Sequence, residues 1–393
     1  MKILSIETSC DETAISIIEA TGIQKSPSFK ILSSVVHSQA TLHAKWQGVV
    51  PNLAKREHSR NLVPILQQAL EGGGLLVNLK SKQKDQKLEL KIKKILEKEG
   101  GLSELFLEFV PTIETPKIDA IAVTYGPGLE PALWTGISFA KALSLIWNKP
   151  IIPINHMEGH ILSVLLPEAK IGLKVKTRLS LPAVALLISG GHTELVLIKD
   201  WLKYKVIGHT RDDAVGEAFD KVARMLGLPY PGGPEISKMT AEFKGQKTIT
   251  LPRPMIKSEN LDFSFSGLKT AVLYLIKKIG ILSEETKREI AHEFEESVVE
   301  VLVSKTRRAL EHYSVKSLII GGGVIANKKI RSAFQTMTNE EFPKLKLLVP
   351  HSELSTDNAT MIAIAGYFRW LDKNARGKKY SKNIKAKGNL VLK

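Results

Sequence analysis

The chain has 393 residues, more than one compact core usually holds, so we expect two lobes. Its single cysteine, Cys10, excludes an internal disulfide framework and favours a cytoplasmic protein, and no apolar run is long enough to span a bilayer. The formal net charge of +16 predicts a polyanionic partner, nucleic acid first, with a lysine-rich composition that only favours solubility as the alternative.

The first half of the chain predicts three strands, a helix, a strand and a helix. Residues 2–7 and 14–19 are β-rich runs joined by the turn "TSCDET", and a third run, "FKILSSVVHS", follows. The segment "PNLAKREHSRNLVPILQQAL" has apolar residues at helical spacing. A buried-type strand, "IDAIAVTY", then leads through "GPGLEP" into the helix "ALWTGISFAKALSLI".

The second half repeats this pattern. Three strands are predicted at "PAVALLIS", "TELVLI" and "YKVIGHT", with a tight glycine turn after the first, and a strand–glycine–helix unit follows at "SLIIGGGVIANKKIRSAF". The hairpin "LSIETSCDETAISII" also aligns loosely with "LLISGGHTELVLI". We therefore expect an α/β fold of two duplicated lobes with a ligand cleft between them.

Two segments lie outside this pattern. We expect residues 72–117 to be an insertion that is mainly solvated surface, and residues 372–393 to be a basic flexible tail. Lys378, Lys379, Lys385 and Lys387 of the tail are candidates for phosphate contacts with nucleic acid. The expected domains are an N-terminal lobe (1–153), a C-terminal lobe (154–353), a helix returning to the first lobe (354–371) and the tail (372–393).

The segment "INHMEGH" places His156 and His160 one helical turn apart, so both rings can face one metal ion. A metalloprotease of the zincin type needs a glutamate directly after the first histidine, where this chain has Met157; Glu158 points to another helix face. Two ordinary histidines remain an alternative. Asp357 is the candidate third ligand, or else the cap of the helix that follows it. Two imidazoles and a carboxylate suit iron(II) or zinc.

Two glycine turns follow buried-type strands. In "LISGGHT", the backbone of Ser189, Gly190 and Gly191 can form an anion nest, and in "IIGGGVIAN" the glycines precede a helix N-terminus. Together they predict nucleotide binding, although neither matches the P-loop or dinucleotide fingerprint. Asp220 could accept ribose hydroxyls, or lie on a plain surface helix.

The turn "TSCDET" carries Asp11 and Glu12. Adjacent side chains diverge, so we expect at most one of the two carboxylates to face the cleft. Plain turn chemistry is the alternative interpretation.

Taken together, these motifs resemble the TsaD/Kae/Qri family of tRNA threonylcarbamoyladenosine synthases. The matching segments occur in family order along nearly the whole chain: "IETSCDET", "GVVPNLAKREH", "GPGLEPAL", "HMEGH", "LLISGGHTELV", "GEAFDKVARMLGLPYPGGPEISK", "DFSFSGLKTAV", "GGGVIAN" and "STDNATMIA". The resemblance implies two RNase H-like lobes of the actin, Hsp70 and sugar-kinase superfamily. It also implies an acyltransferase that moves threonylcarbamoyl from threonylcarbamoyl-AMP to N6 of the adenosine on the 3′ side of the anticodon, in tRNAs reading codons that begin with A.

The resemblance also implies roles for particular residues. The metal ligands would be His156, His160 and Asp357, holding one divalent ion per subunit, usually Fe²⁺ with Zn²⁺ as the alternative. The substrate-binding residues would be Leu187, Ile188, Ser189, Gly190, Gly191, Asp220, Gly233 and Asn327. Asp11 and Glu12 match carboxylates that matter for turnover, so they are the catalytic candidates. The chain departs from the family at the insertion and at "GLEPALWTG", which replaces the commoner "GLxGALLVG".

Three rival functions are alternatives: a small-molecule kinase of the same superfamily, a non-catalytic scaffold subunit, and a metalloprotease. Neither a kinase nor a scaffold needs the imidazole pair. Bacterial family members act with a paralogous partner, TsaB, and an ATPase, TsaE, whereas archaeal and eukaryotic members belong to the KEOPS complex and mitochondrial ones are homodimers. We expect the bacterial set, with tRNA as substrate and no membrane partner.

Overall fold

The computed structural model describes residues 1–80, 85–166, 170–372 and 383–393. Contacts divide the chain into two compact units. The first comprises Met1–Ala40, Val49–Arg178 and Asp357–Leu392; the second comprises Thr41–Gly48, Leu179–Thr356 and the terminal Lys393.

Within the described residues, the first unit contains a six-stranded sheet in the order β5-β4-β1-β2-β3-β6. The strands are β1 (Lys2–Glu7), β2 (Glu12–Ile23), β3 (Ser26–Ser38), β4 (Ala120–Gly126), β5 (Ile151–Asn155) and β6 (Lys174–Lys176). The first three form an antiparallel meander, β4 lies parallel to β1, and β5 lies parallel to β4. Strands β1 and β4 are covered on both faces, which is why their sequences are almost continuously apolar.

The sheet of the second unit has the order β11-β10-β7-β8-β9. Its strands are β7 (Ala183–Ile188), β8 (Thr193–Asp200), β9 (Lys203–His209), β10 (Ser317–Gly321) and β11 (Lys346–Leu348). An antiparallel meander is again followed by two strands parallel to its first member. The shared strand order confirms the predicted α/β fold of duplicated lobes.

Helices cover both sheets. In the first unit they are α2 (Pro51–Gly72), α3 (Gln86–Leu96), α4 (Leu102–Phe109), α5 (Glu130–Trp147), α6 (His156–Ser163) and α12 (Ala359–Leu371). Helix α1 (Ala40–Ala44) begins at the last residue of the first unit's first segment and continues in the second unit. In the second they are α7 (Val215–Met225), α8 (Gly232–Glu242), α9 (Ser266–Ile279), α10 (Glu284–His312) and α11 (Lys328–Glu341). In the part of the chain that the structure describes, no helix has both the length and the apolar character that crossing a bilayer requires.

The contact division differs from the expected domain boundary at residue 153, because residues 154–178 belong to the first unit. Strand β5 runs directly into α6, and α6 packs against α12. The helical motif that carries the two histidines is therefore part of the first unit. Helix α12, expected to return to that lobe, lies in the same unit.

The described part of the insertion is not only solvated surface, in contrast to the expectation from its sequence. Helices α3 and α4 bury their apolar stripes in the core of the first unit, through Ile92, Leu96 and Phe106. Glu99 between them is also buried, and its carboxylate accepts hydrogen bonds from Thr135 (3.0 Å) and Ser138 (3.2 Å) of α5. The charged residues of α3 had suggested exposure, but its buried face carries leucine and isoleucine at helical spacing.

The expectation of a flexible tail is wrong for residues 383–392. Ile384 and Leu392 are only 6% and 5% exposed, so this segment packs against the first unit. Lys385 and Lys387 keep exposed side chains, and their contact with nucleic acid stays a prediction. Lys378 and Lys379 lie outside the described residues.

Candidate functional site

Helix α6 presents the two histidines to one point. Asn155 caps the helix, its side chain accepting a hydrogen bond from the Met157 amide at 2.9 Å, so α6 begins at His156. The rings of His156 and His160 are buried, with centroids 4.6 Å apart and planes 85° to one another. The predicted one-turn spacing thus brings the two imidazoles together.

Asp357 completes this group. Its Oδ1 lies 3.3 Å from Nε2 of His156 and 3.2 Å from Nε2 of His160, and one ligand atom from each residue lies within 4.8 Å of the others. The cap of α12 is the neighbouring Asn358, whose side chain accepts from the Met361 amide. The alternative that Asp357 is the helix cap is therefore wrong, and its carboxylate is available to the histidines.

The hydrogen bonds around the histidines fit a cation. Nδ1 of His156 lies 3.0 Å from Oε2 of Glu7, a carboxylate that only accepts, so Nδ1 carries the hydrogen and Nε2 faces Asp357. Both ring nitrogens of His160 are buried without a hydrogen-bond partner among the described residues. Such orphaned groups cost about 1–3 kcal/mol each. A divalent ion bound by the two imidazoles and the carboxylate would satisfy Nε2 of His160, the ring nitrogen that faces Asp357.

Electrostatics favour the ligand forms of two of these groups. Burial alone would raise the pKa of Asp357, but the two histidines outweigh it and hold that pKa well below its usual range. Burial lowers the pKa of His160, which keeps its imidazole neutral. Burial also opposes charge on His156, but Asp357 and Glu7 raise its pKa well above the ordinary value, so a metal would compete with a proton there.

Glu7, at the end of β1, is a site residue that the sequence analysis did not assign. Besides His156, its carboxylate accepts hydrogen bonds from the Thr124 hydroxyl and the Ser9 amide, both at 2.6 Å. A carboxylate behind a ligating histidine fixes the ring and raises its basicity. The sequence indicates this role only by the position of Glu7, the one acidic residue of β1, at the end of that strand.

Glu158 has a structural role, unlike the catalytic glutamate of a zincin-type metalloprotease. Its Oε2 accepts hydrogen bonds from Nε and Nη2 of Arg369 at 2.9 and 2.8 Å, which ties α6 to α12. At Gly159, a Cβ would lie 3.1 Å from Met361 and 3.0 Å from Ile362, so the helices approach closely where the glycine stands. These contacts hold the two histidines against the segment that carries Asp357.

The turn with Asp11 and Glu12 lies in the same unit. Asp11 is buried, and the Glu12 carboxylate accepts a hydrogen bond from the Ser38 hydroxyl at 3.3 Å. Which of the two carboxylates faces a ligand stays a prediction. Burial, with the negative charges of Asp11 and Asp357, raises the pKa of Glu12 well above its usual range. The turn is clamped by His58, which lies 3.0 Å from the Cys10 carbonyl through Nε2 and 2.7 Å from the Thr13 hydroxyl through Nδ1.

The first glycine turn lies in the second unit, at the end of β7. Leu187 and Ile188 have fully buried side chains, so only their backbone could meet a ligand. Ser189 closes the turn by hydrogen bonds with His192. A Cβ at Gly190 or Gly191 would meet no atom within 4 Å, so the turn has open space beside both glycines.

The second glycine turn lies next to the first. Strand β10 pairs in parallel with β7, with Gly321 opposite Leu187. Gly322 has φ +95°, and a Cβ there would lie 2.3 Å from the Ile188 carbonyl oxygen. The two turns thus leave neighbouring parallel strands at the same end of the sheet, and their part in nucleotide binding stays a prediction.

The remaining predicted nucleotide residues have structural contacts in the second unit. Asp220 accepts a hydrogen bond from the Gly232 amide at 2.7 Å, at the start of α8, and Gly233 has open space where a Cβ would stand. Asn327 caps α11 and donates from Nδ2 to Glu295 at 2.6 Å. These bonds position the starts of α8 and α11.

Comparison with known proteins places this chain in a family. A family model described as TsaD, tRNA N6-adenosine threonylcarbamoyltransferase, matches residues 30–79 and 107–364. The gap between these ranges falls within the insertion.

Curated relatives with the name tRNA N6-adenosine threonylcarbamoyltransferase match nearly the full chain. The Persephonella marina protein is 42% identical over 94% of this chain and 90% of its own length. The Paraburkholderia xenovorans protein is 40% identical over 100% and 99%, and that of Thermosipho melanesiensis is 42% identical over 93% and 94%.

Two solved structures also align with the chain. The activator of the 2-hydroxyisocaproyl-CoA dehydratase from Clostridium difficile with bound ADPNP has a TM-score of 0.45 and 12% identity, covering 98% of this chain and 99% of that one. Full-length HypF in its phosphate- and nucleotide-bound form has a TM-score of 0.49 and 11% identity, covering 95% and 47%. The family model and the curated relatives, which are at least 40% identical across almost the whole chain, show that this protein belongs to the TsaD family of tRNA N6-adenosine threonylcarbamoyltransferases.

Proposed function

We propose that this protein transfers a threonylcarbamoyl group from threonylcarbamoyl-AMP to N6 of the adenosine on the 3′ side of the anticodon, in tRNAs that read codons beginning with A. The observation that carries the proposal is the convergence of His156, His160 and Asp357 in a chain that aligns with relatives of that name over almost its full length. The net charge of +16 suits a tRNA substrate.

The proposed ion is Fe²⁺, with Zn²⁺ as the alternative, because a set of two imidazoles and one carboxylate leaves coordination positions open. When bound, the ion supplies a Lewis acid that polarises oxygens of the donor. The protein's own part is to hold His156 from behind through Glu7, to keep His160 neutral by burial, and to keep Asp357 ionised.

The transfer needs positioning more than covalent catalysis, because the donor is a mixed anhydride with a good leaving group. The bond from N6 to the carbamoyl carbon forms, the bond from that carbon to the phosphate oxygen breaks, and AMP leaves. The N6 proton must go to a base. Asp11 and Glu12 are our candidates, since burial raises the pKa of Glu12 and makes its carboxylate a stronger base than an ordinary one.

The AMP part of the donor is assigned to the two adjacent glycine turns of the second unit, with open backbone at Gly190 and Gly191 facing the phosphate. Leu187, Ile188 and Ser189 would contribute backbone groups, and Asp220 would accept from the ribose. Gly233 and Asn327 would complete the site, the latter by holding the start of α11.

The proposed partners are a TsaB-like paralogue and a TsaE-like ATPase, in the cytoplasm. The bacterial source of the relatives described above favours this set. The small-molecule kinase and the scaffold subunit are not favoured, because the relatives are named as transferases and this chain retains the imidazole pair.

The test is transfer to an unmodified tRNA transcript from threonylcarbamoyl-AMP, with Fe²⁺, assayed alone and with the paralogue and ATPase of the same organism. We expect the modified nucleoside to form, and His160→Ala to lose metal content and transfer together. His312→Ala is the matched control, because His312 is exposed at the end of α10. Wild-type protein that binds Fe²⁺ but makes no modified nucleoside under these conditions would refute the proposed reaction.

A further inference from the structure

Residues 383–392, here called the C-terminal strap, are anchored to the first unit. Ile384 packs into its core, and the Ile384 carbonyl accepts a hydrogen bond from Nζ of Lys141 on α5 at 2.7 Å. Leu392, at the other end of the strap, is also buried. The strap is therefore fixed at both ends.

Between these ends, the strap holds the glycine loop, residues 126–128, which joins β4 to α5. The Lys387 amide donates to the Tyr125 carbonyl at 2.9 Å, and the Gly128 amide donates to the Gly388 carbonyl at 3.1 Å. Gly126 has φ +153°, and a Cβ there would lie 2.1 Å from the Lys387 carbonyl oxygen. The contact is thus backbone against backbone.

On its other side, the glycine loop presses on Ser9. A Cβ on Gly128 would lie 2.5 Å from the Ser9 carbonyl oxygen, and that oxygen accepts from the Leu129 amide at 2.8 Å. The hydroxyl of Ser9 lies 3.2 Å from Nδ1 of His156, and its amide donates to Glu7 at 2.6 Å. A chain of direct contacts therefore runs from the strap to the residues behind the His156 ring.

We propose that the C-terminal strap is a positioning element of the metal centre: it presses the glycine loop onto Ser9 and so fixes Ser9 and Glu7 against His156. A loop with two glycines in positive-φ conformations relaxes easily once its hydrogen-bond partners leave. The strap also meets Glu130, whose carboxylate accepts from the Gly388 amide at 3.3 Å. The competing role for this segment is a contact of its exposed lysines with tRNA phosphates.

The test is Co²⁺ titration, followed by visible absorption, of the full chain and of a chain ending at residue 382. The inference rests on the proposed metal centre, and the full chain checks that centre separately by binding Co²⁺ or failing to. For the shortened chain we expect the dissociation constant to rise about tenfold, the usual effect of removing groups behind a ligand. A synthetic peptide of residues 383–393, added in excess, should restore the affinity. Unchanged affinity in the shortened chain would overturn the inference.

Point variants keep the test decisive if the shortened chain does not fold. Ile384→Ala loosens the anchor and should weaken Co²⁺ binding in the same direction. Lys385→Ala and Lys387→Ala remove only exposed side chains and keep the backbone bonds, so Co²⁺ affinity should not change. If the lysine variants lowered Co²⁺ affinity as much as Ile384→Ala, or if Ile384→Ala had no effect, the positioning role would be refuted.

Discussion

Oε2 of Glu7 lies 3.0 Å from Nδ1 of His156, so a buried carboxylate orients, from behind, the imidazole that faces Asp357. Glu7 thus supports the metal centre without being one of its ligands. We expect Glu7→Gln to lower affinity for Co²⁺ about tenfold, because the amide holds the ring without the negative charge that raises its basicity. Titration of both proteins with Co²⁺ checks this. Glu114→Gln, at an exposed position, is the control, and equal affinities for wild type and Glu7→Gln would contradict the role.

Asp357 and Asn358 are neighbours with separable roles. Asp357→Asn should abolish tight metal binding, and it should also lower the free energy of unfolding of the metal-free chain, since the two histidines stabilise the charged carboxylate. Asn358→Ala should cost about 1 kcal/mol of stability, the usual loss for a helix cap. Metal titration and chemical denaturation of both variants measure the two effects. Wild-type metal affinity in Asp357→Asn, or lost metal affinity in Asn358→Ala, would contradict these separate roles.

His58 clamps the turn that carries Asp11 and Glu12, so we expect its loss to reduce turnover. His58→Ala leaves the buried Thr13 hydroxyl and the Cys10 carbonyl without this hydrogen-bond partner. The loss should lower the stability of the folded turn by about 1–3 kcal/mol. Single-turnover transfer should slow while Co²⁺ affinity stays near that of wild type, because no ligand is touched. His58→Gln, which can still donate to Cys10, should recover part of the rate. An unaltered rate in His58→Ala would exclude the clamp.

The pair of Glu158 and Arg369 ties α6 to α12, and its loss should be seen in stability. Arg369→Ala removes the guanidinium partner of a fully buried carboxylate. We expect the free energy of unfolding to fall by about 2–3 kcal/mol. This is less than the usual loss for a buried pair, because Arg369 is 31% exposed. Urea denaturation measures it. Arg56→Ala, at an exposed side chain on α2, is the control. A cost no larger than that of the control would show that the pair is not needed to join the helices.

Metal affinity should depend on pH with a defined sign. The pKa of His156 is raised well above its ordinary value in the metal-free chain, and a ligand must be unprotonated, so binding releases a proton below that pKa. The logarithm of the apparent Co²⁺ affinity should therefore rise by about one per pH unit until that pKa is passed. Isothermal titration in buffers of different ionisation enthalpy counts the protons. A pH-independent affinity across the acidic range would contradict the raised pKa.

The sequence predicted those parts of the site whose residues lie close together along the chain. One-turn spacing brought His156 and His160 together, and buried strands followed by glycines predicted both turns of the second unit. Asp357 lies far along the chain; its place before an apolar helix made it a candidate ligand, but the sequence alone did not separate a ligand from a cap. Glu7 could not be assigned because its partner, His156, becomes a neighbour only when β1 and β5 flank β4 in the sheet.

The misjudged segments share a physical reason. The lysines and glutamates of α3 suggested a solvated surface, but a helix needs only one apolar stripe to dock, and the rest of its face stays charged. The few large apolar residues of the strap predict a flexible segment. Two buried side chains and backbone hydrogen bonds are enough to order it.

The duplicated strand order makes the β1–β2 and β7–β8 hairpins equivalent elements, yet their turns carry opposite chemistry. The first turn holds Asp11 and Glu12, and the second holds Gly190 and Gly191. The first turn places two carboxylates where the second offers backbone amides without side chains. Two hairpins at equivalent places in their sheets therefore differ in electrostatic sign.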